Sequence, residues 1–243
     1  MRVAVITPYF KTPRPWLEQC HQSVLDQTHP CTHILVADGA PEDDLDTWQA
    51  QHIVLPVNHA DYGDTPRAIG SVSAIGQQFE GIAYLDSDNW YAPDHIETLV
   101  GLHTESGAAI CISNRTLNRL DGSVLGLCRE TDGDMFADTS CLMLTRRAFS
   151  LASLWASFHP LLHPICDRMM MYNIRKSGLK RAFVDKPTVA FRTAYQGVYQ
   201  SFGEEPPPGA DKTGDDFMKA FAYLAETGGP DLRPKMLDRK TKP

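Results

Sequence analysis

Asp86 and Asp88 stand one residue apart at the end of the apolar run Ile82-Ala83-Tyr84-Leu85, and this pairing is the clearest chemical signal in the chain. In extended backbone, residues two apart project to the same side. Two carboxylates that converge beyond the carboxyl end of a strand offer hard oxygen ligands to Mg2+ or Mn2+. Such a cation can hold a diphosphate, cancel its charge and stabilise it as a leaving group. The string Asp86-Ser87-Asp88-Asn89 before Tyr91-Ala92-Pro93 also reads as a turn leading into a helix, so the triplet alone leaves both readings open.

Other chemistries find less support. His159 and His163 are four apart, but Pro160 and Pro164 break the helix that paired-histidine zinc sites need, so the segment reads as a loop. The Met169-Met170-Met171 run reads as core packing. The six cysteines are scattered, with no C-x-x-C pair, and read as small apolar residues rather than disulfides. The absence of G-x-x-x-x-G-K-[ST], G-x-G-x-x-G and G-x-S-x-G weakens the P-loop, dinucleotide and hydrolase readings.

The elements that must position the acids follow from hydrophobic period. Val3 to Thr7, His33 to Ala37, Ile53 to Val57, Ile82 to Leu85 and Ala108 to Ile112 read as strands. Trp16 to Gln27, Asp43 to Gln51, Pro66 to Phe79 and Pro93 to His103 carry helical spacing between them, with Pro placed for a first turn in the last two. That alternation predicts an α/β fold: a mostly parallel central sheet with helices on both faces. After Ser113 the pattern becomes mixed. A hairpin is expected around Asp121-Gly122-Ser123, then a strand at Cys141 to Thr145 and helices at Arg146 to Ala156 and Ile165 to Lys176. Gly178 suits a helix stop, and short strands at Arg181 to Val184 and Val189 to Arg192 finish a domain over residues 1–200. Residues 201–243 read as a Pro-rich linker at Glu204 to Gly209, an amphipathic helix at Asp215 to Glu226 and a basic end from Arg233 to Pro243. That appendage suits acceptor binding, self-association or docking.

With 243 residues, 42% hydrophobic and 22% charged, the chain has the size and composition of one large globular domain. No apolar run nears the ~20 residues of a membrane helix, and the N-terminal run ends at Pro8, too early for a signal peptide. A soluble, cytoplasmic protein is expected. A net charge of -7 argues against nucleic acid as a partner and implies that a bound diphosphate would need a bridging cation.

In order along about the first 195 residues, the segments resemble family 2 glycosyltransferases, which have the GT-A fold. Val5-Ile6-Thr7-Pro8-Tyr9 is similar to that family's opening strand and turn. Ser23-Val24-Leu25-Asp26-Gln27-Thr28 resembles its S-x-L-x-Q-T helix end, and Val36-Ala37-Asp38-Gly39-Ala40 its V-x-D-G-S segment. Tyr84 to Asp94 is similar to its strand, D-x-D triplet and x-x-P-D helix start, the most specific match. Asp167, Gly178, Pro187 and Arg192 stand at the spacing of its E-D-x-D...G...P...Y-R stretch.

The resemblance implies an inverting, metal-dependent, non-processive glycosyltransferase of hexosyl type, moving one sugar from a nucleotide-diphosphate donor, UDP-sugar favoured, to an acceptor hydroxyl. The acceptor would be a saccharide, a lipid-linked group or a protein. Thr7, Pro8 and Tyr9 would wall the nucleotide pocket and Asp38 would accept hydrogen bonds from the base. Asp88 would bind Mn2+ or Mg2+ directly, with Asp86 beside the ribose or reaching the metal through water, and Ser87 between them. Asp61, Asp64 and Arg67 fall where donor contacts are expected, Arg67 on a phosphate; a solvated helix start is the plainer alternative. Asp167 is the candidate general base, its pKa lifted by burial beside Ile165, Cys166 and Met169; a helix-start acid paired with Arg168 is the alternative.

Some departures weaken the match. Cys166 and Met169 replace acids around Asp167, no histidine follows His163 to supply a late metal ligand, and Q-x-x-R-W is absent. Two other readings therefore stay open: a catalytically degenerate nucleotide-sugar-binding or interaction module, and a Mg-dependent phosphatase. Trp90 stands against the phosphatase, whose pattern expects Thr or Val there.

Overall fold

The computed structural model describes residues 1–234, so most of the expected basic end lies outside the described residues. The first half is built from β1 (Val3–Tyr9), α1 (Arg14–Leu25), β2 (Cys31–Asp38), β3 (Gln51–Leu55), α2 (Asp64–Gly76) and β4 (Gly81–Tyr84). Its four strands are parallel neighbours in the order β3-β2-β1-β4. All seven residues of β1 are buried, as a strand covered on both faces requires. Alternation along it shows which helix covers which face: Ile6 presses on Gly70 of α2, while the next residue, Thr7, meets Cys20 of α1.

The second half adds β5 (Trp90–Tyr91), α3 (His95–Ser106), β6 (Ile110–Asn118), β7 (Val124–Leu127), β8 (Leu142–Thr145), α4 (Cys166–Lys176) and β9 (Arg181–Arg192). The sheet continues from β4 as β8-β6-β9-β5, with β7 folded back on β6 as the expected hairpin. Here β8 runs antiparallel to both β4 and β6, so the sheet is mixed past β4. α4 ends as expected, Gly178 following it with φ +68, a conformation open to glycine without strain. Met170 and Met171 are core residues.

Several expected elements differ. The helix expected at Asp43 to Gln51 is one turn, Leu45–Thr47: Trp48 leaves the helical path to stack on His21 at 4.6 Å, with the Arg14 guanidinium over its ring. β3 stops at Leu55, since Pro56 has no N–H for the ladder. Arg146–Ser157 is a run of 3-10 turns rather than an α-helix, and the loop expected at His159 to Pro164 is a second such run, Pro160–Ile165. The two short strands at 181–184 and 189–192 are one strand, β9, which takes up register shifts against β6 instead of breaking. A short helix, α5 (Gln196–Ser201), precedes the linker, and α6 (Asp215–Glu226) forms where expected. Ala220 and Leu224 of α6 bury against Leu162 and Ile165, which docks the C-terminal segment on the domain.

Among the described residues, no helix is long and apolar enough to cross a membrane.

Candidate active site

β4 ends at Tyr84 and delivers Asp86, Ser87 and Asp88 across the carboxyl edge of the sheet. The loop is pinned from several sides. Asn89 N–H donates to the Asp86 carbonyl at 2.9 Å, and the Ser140 hydroxyl accepts from both Asp86 N–H and Asn89 Nδ2 at 3.3 Å. The Ser87 hydroxyl bonds that of Thr12 at 2.7 Å. Arg192, the last residue of β9, is a clamp. It donates to the carbonyls of Asp88 (3.1 Å) and Leu120 (2.5 Å) and to the Gln19 side-chain oxygen (2.5 Å), and it lies between the rings of Trp16 and Trp90 at 4.6 and 4.9 Å.

Arg67, the fourth residue of α2, ties the triplet to the interior. Its Nη2 donates to Asp86 Oδ1 at 2.5 Å, and its Nη1 to Asp64 Oδ1 at 3.1 Å and the Tyr62 carbonyl at 2.9 Å. The other Asp64 oxygen meets His163 Nδ1 at 2.8 Å. Asp64 is fully buried, which pushes its carboxyl up, while His163 and Arg67 oppose that shift. Beside Asp64 the His163 imidazole is raised above its ordinary value. The alternative of a solvated helix start does not hold, since this is a buried charge network; of the expected donor contacts Arg67 lines a cavity, while Asp64 is buried behind it and supports Arg67.

A cavity of about 570 Å3 opens on this edge, lined by Pro8, Tyr9, Asp38, Arg67 and the whole Asp86-Ser87-Asp88 triplet. Asp61 lies on its wall too, its carboxylate accepting the N–H groups of Gly63 (3.2 Å) and Thr65 (2.8 Å). Thr7 does not line it. Two residues deeper in β1 than Tyr9, on the same face, it is fully buried, its hydroxyl bonded to His33 Nε2 at 2.8 Å. The Tyr9 hydroxyl bonds His52 Nε2 at 2.7 Å, and His52 Nδ1 meets Asp46 at 2.7 Å, so the ring is held at the cavity wall. Burial pushes the Tyr9 phenol up to about 12. The Asp38 carboxylate is shared with His59 Nδ1 (2.6 Å), His59 N–H (3.1 Å) and Asn58 Nδ2 (3.0 Å). Its oxygens are therefore fixed in direction at the cavity wall.

A second cavity, of about 380 Å3, lies on the other side of Asp86; Tyr62, Arg67 and Asp86 line both. Asp167, in the first turn of α4, faces this one. The expected alternative, an ion pair with Arg168, does not form: the Arg168 guanidinium pairs with Glu130, and only its backbone N–H reaches Asp167, at 2.7 Å. Burial, with the Asp138 charge adding to it, pushes the Asp167 carboxyl up to about 6. Asp88 is pushed to about 6 as well, first by burial and then by Asp86, with Lys212 opposing.

The chemistry of this donor set suits a hard cation only in part. Among the described residues no three His, Cys, Asp or Glu side chains converge, so no all-protein cage exists. Asp86 and Asp88 still offer two crowded carboxylates at an open cavity, and Asp88 has no ion-pair partner among the described residues. Such a set fits Mg2+ or Mn2+, which accept one or two carboxylates and complete their shell with phosphate and water. It does not fit tetrahedral zinc.

Several site residues escaped the sequence reading. The buried Arg115–Asp138 pair, Tyr62, Tyr195 and Lys212 come from distant segments. Asp138 alone left a local trace: Asp138-Thr139-Ser140 has the form of a cap, and its carboxylate does accept the Ser140 N–H at 2.9 Å.

Residues 4–173 match the model of a family described as glycosyl transferase family 2. No curated protein matches the chain in sequence. Among solved structures, it is similar to S. aureus TarS 1-349 in complex with UDP, at TM-score 0.62 and 13% identity over 93% of this chain and 65% of that one. It is also similar to S. aureus TarS (TM-score 0.63, 12% identity, 93% and 39% covered) and to TarS 1-349 in complex with UDP-GlcNAc (0.59, 13%, 93% and 66%). The chain thus spans between about two fifths and two thirds of the length of the structures it matches, and at these identities the likeness is one of fold.

Proposed function

Because the chain belongs to glycosyl transferase family 2 and has its GT-A fold, we propose that it moves one sugar from a nucleotide-diphosphate donor to an acceptor hydroxyl, with inversion. The observation that carries this reading is the meeting of two cavities at Asp86, one holding the Asp triplet and the other a carboxylate near neutrality.

In this reading the nucleotide lies in the 570 Å3 cavity, its base against Tyr9 and Asp38. UDP is favoured, and a neighbour in fold has been solved with UDP and with UDP-GlcNAc. Asp88 and Asp86 would hold Mg2+ or Mn2+, which when bound neutralises the diphosphate and the charge it gains on leaving. The sugar points past Asp86 into the second cavity. Asp167 takes the proton of the acceptor hydroxyl as its oxygen attacks the anomeric carbon from the side opposite the departing diphosphate, and this inverts the configuration. A carboxyl that titrates near 6 is mostly ionised at neutral pH yet more basic than an ordinary aspartate, which suits the role. One sugar is moved per encounter.

Calorimetry with UDP, GDP and their sugar conjugates, with and without Mn2+, tests the donor half on wild type and Asp88→Ala. Metal-dependent binding that the variant loses is expected. Folded wild type that binds none of these nucleotides under any metal condition would overturn the reading. Among the described residues no third carboxylate or histidine joins Asp86 and Asp88, which favours one rival, a module that binds the donor without transfer. Nucleotide release in the presence of acceptor separates the two, since the module would bind and not turn over.

A further inference from the structure

The second cavity carries information about the acceptor that the family does not, and we propose that this protein glycosylates an uncharged saccharide, held against aromatic rings of its C-terminal segment. The inference rests on the transferase reading above.

Charge is the first consideration. Three guanidiniums reach the cavity wall, and each is already held: Arg67 by Asp64 and Asp86, Arg115 by Asp138, and Arg168 by Glu130. His163 is likewise engaged, by Asp64. The Nε atoms of Arg67 and Arg115 are buried from solvent and so out of an acceptor's reach. Asp167 then adds a carboxylate that forms no ion pair among the described residues. A phosphate or carboxylate on the acceptor would meet guanidiniums that, among the described residues, are each already ion-paired, beside one lining carboxylate in excess of them. Lys212 lines the neighbouring donor cavity instead.

Ring placement is the second. Phe136 and Phe191 have guanidiniums over their rings, at 4.4 Å from Arg168 and 4.2 Å from Arg115. Phe217 and Phe221 do not among the described residues, and at four residues apart they share one face of α6, which fronts the cavity. Tyr195 leans on Phe217 at 5.1 Å. A platform of rings beside a rim of hydroxyls and carboxylates suits a pyranose, apolar on its C–H face and polar at its edges. A lipid chain would bury the carboxylates of Asp138 and Asp167 against hydrocarbon with no partner gained. The size agrees, since about 380 Å3 accommodates roughly two sugar rings, the one being transferred and one of the acceptor.

The test uses the full chain, a donor identified by calorimetry, and paired acceptors: alkyl glycosides and oligosaccharides against the same sugars carrying a phosphate. Nucleotide release above the hydrolysis background should appear with neutral members and be at least about tenfold weaker with their phosphorylated partners. Phe217→Ala should raise acceptor KM by about tenfold while donor affinity stays unchanged. Gly197→Lys gives a gain-of-function arm. Gly197 is exposed on α5 at the cavity wall, and a side chain there meets nothing within 4 Å, so the variant should fold. Its ammonium should raise relative activity on phosphorylated acceptors by about fivefold, the worth of one exposed ion pair. Preference for the phosphorylated partners, or a Phe217→Ala variant with unaltered acceptor KM, overturns the proposal and leaves the transferase standing. Failure to bind any nucleotide sugar overturns both.

Discussion

Replacing Asp167 with Asn separates catalysis from folding, because the two should move in opposite directions. Burial raises this carboxyl from its ordinary 3.8 to about 6, so roughly one tenth is ionised at pH 5 and roughly nine tenths at pH 7. If the carboxylate is the base, turnover with saturating donor should rise about tenfold over that interval. An aspartate at its ordinary value would already be ionised at pH 5 and give a flat profile. Asp88 also titrates near 6, so donor affinity must be measured separately at each pH and turnover read at saturation. Asp167→Asn should lose roughly 10²–10⁴-fold in turnover. Stability has the opposite sign. A carboxyl raised on folding contributes stability below its unfolded pKa and loses that contribution as pH climbs through the folded one. Above pH 6 the native side chain therefore costs the fold up to about 3 kcal/mol, less where solvent reaches it. The Asn variant should melt higher than wild type at pH 8 while being nearly inactive. A flat wild-type profile between pH 5 and 7, or a variant keeping more than about a tenth of wild-type turnover, refutes the assignment.

Arg67→Gln leaves buried Asp64 with His163 alone and takes from Asp86 its ion-pair partner; urea denaturation should register a loss of about 3 kcal/mol, and an unchanged midpoint would contradict the buried network. Arg192→Ala removes three hydrogen bonds and two ring contacts from the loop behind Asp88, so stability should fall by about 3–4 kcal/mol and donor affinity with it, read by thermal melts and calorimetry. Gly39→Ala should destabilise by more than about 2 kcal/mol: φ is +80 there, and the new methyl would sit 2.3 Å from the Asn58 nitrogen. Wild-type melting behaviour in that variant would contradict the backbone path beside Asp38.

The parallel half of the fold was legible because its determinants are local. Apolar runs at residues 3–7, 33–37 and 82–85 are short, nearly continuous and bounded by turn residues, the mark of strands covered on both faces. The acids at 86 and 88 follow directly from such a strand, so their place at the carboxyl edge was fixed with it. The same locality misled at Asp43 to Gln51, where helical spacing is present but Trp48 gains more from stacking on His21 than from another helical turn. It also misled at β9, whose continuity comes from pairing with β6 across intervening structure.

Along the chain, then, the sequence by itself determined the strand-helix order, the acidic triplet at a strand end and the candidate base at the start of a helix. Tertiary structure decided what those groups are. Thr7 and Asp64 share motifs with site residues but do not reach the cavity: Thr7 lies deeper in β1 than Tyr9 and Asp64 turns to His163, and only packing says which side chains reach the opening. The fate of each arginine was equally nonlocal. Arg67, Arg115, Arg168 and Arg192 find partners 19, 23, 38 and 104 residues away, and which charges remain uncompensated at the site follows from those pairings alone.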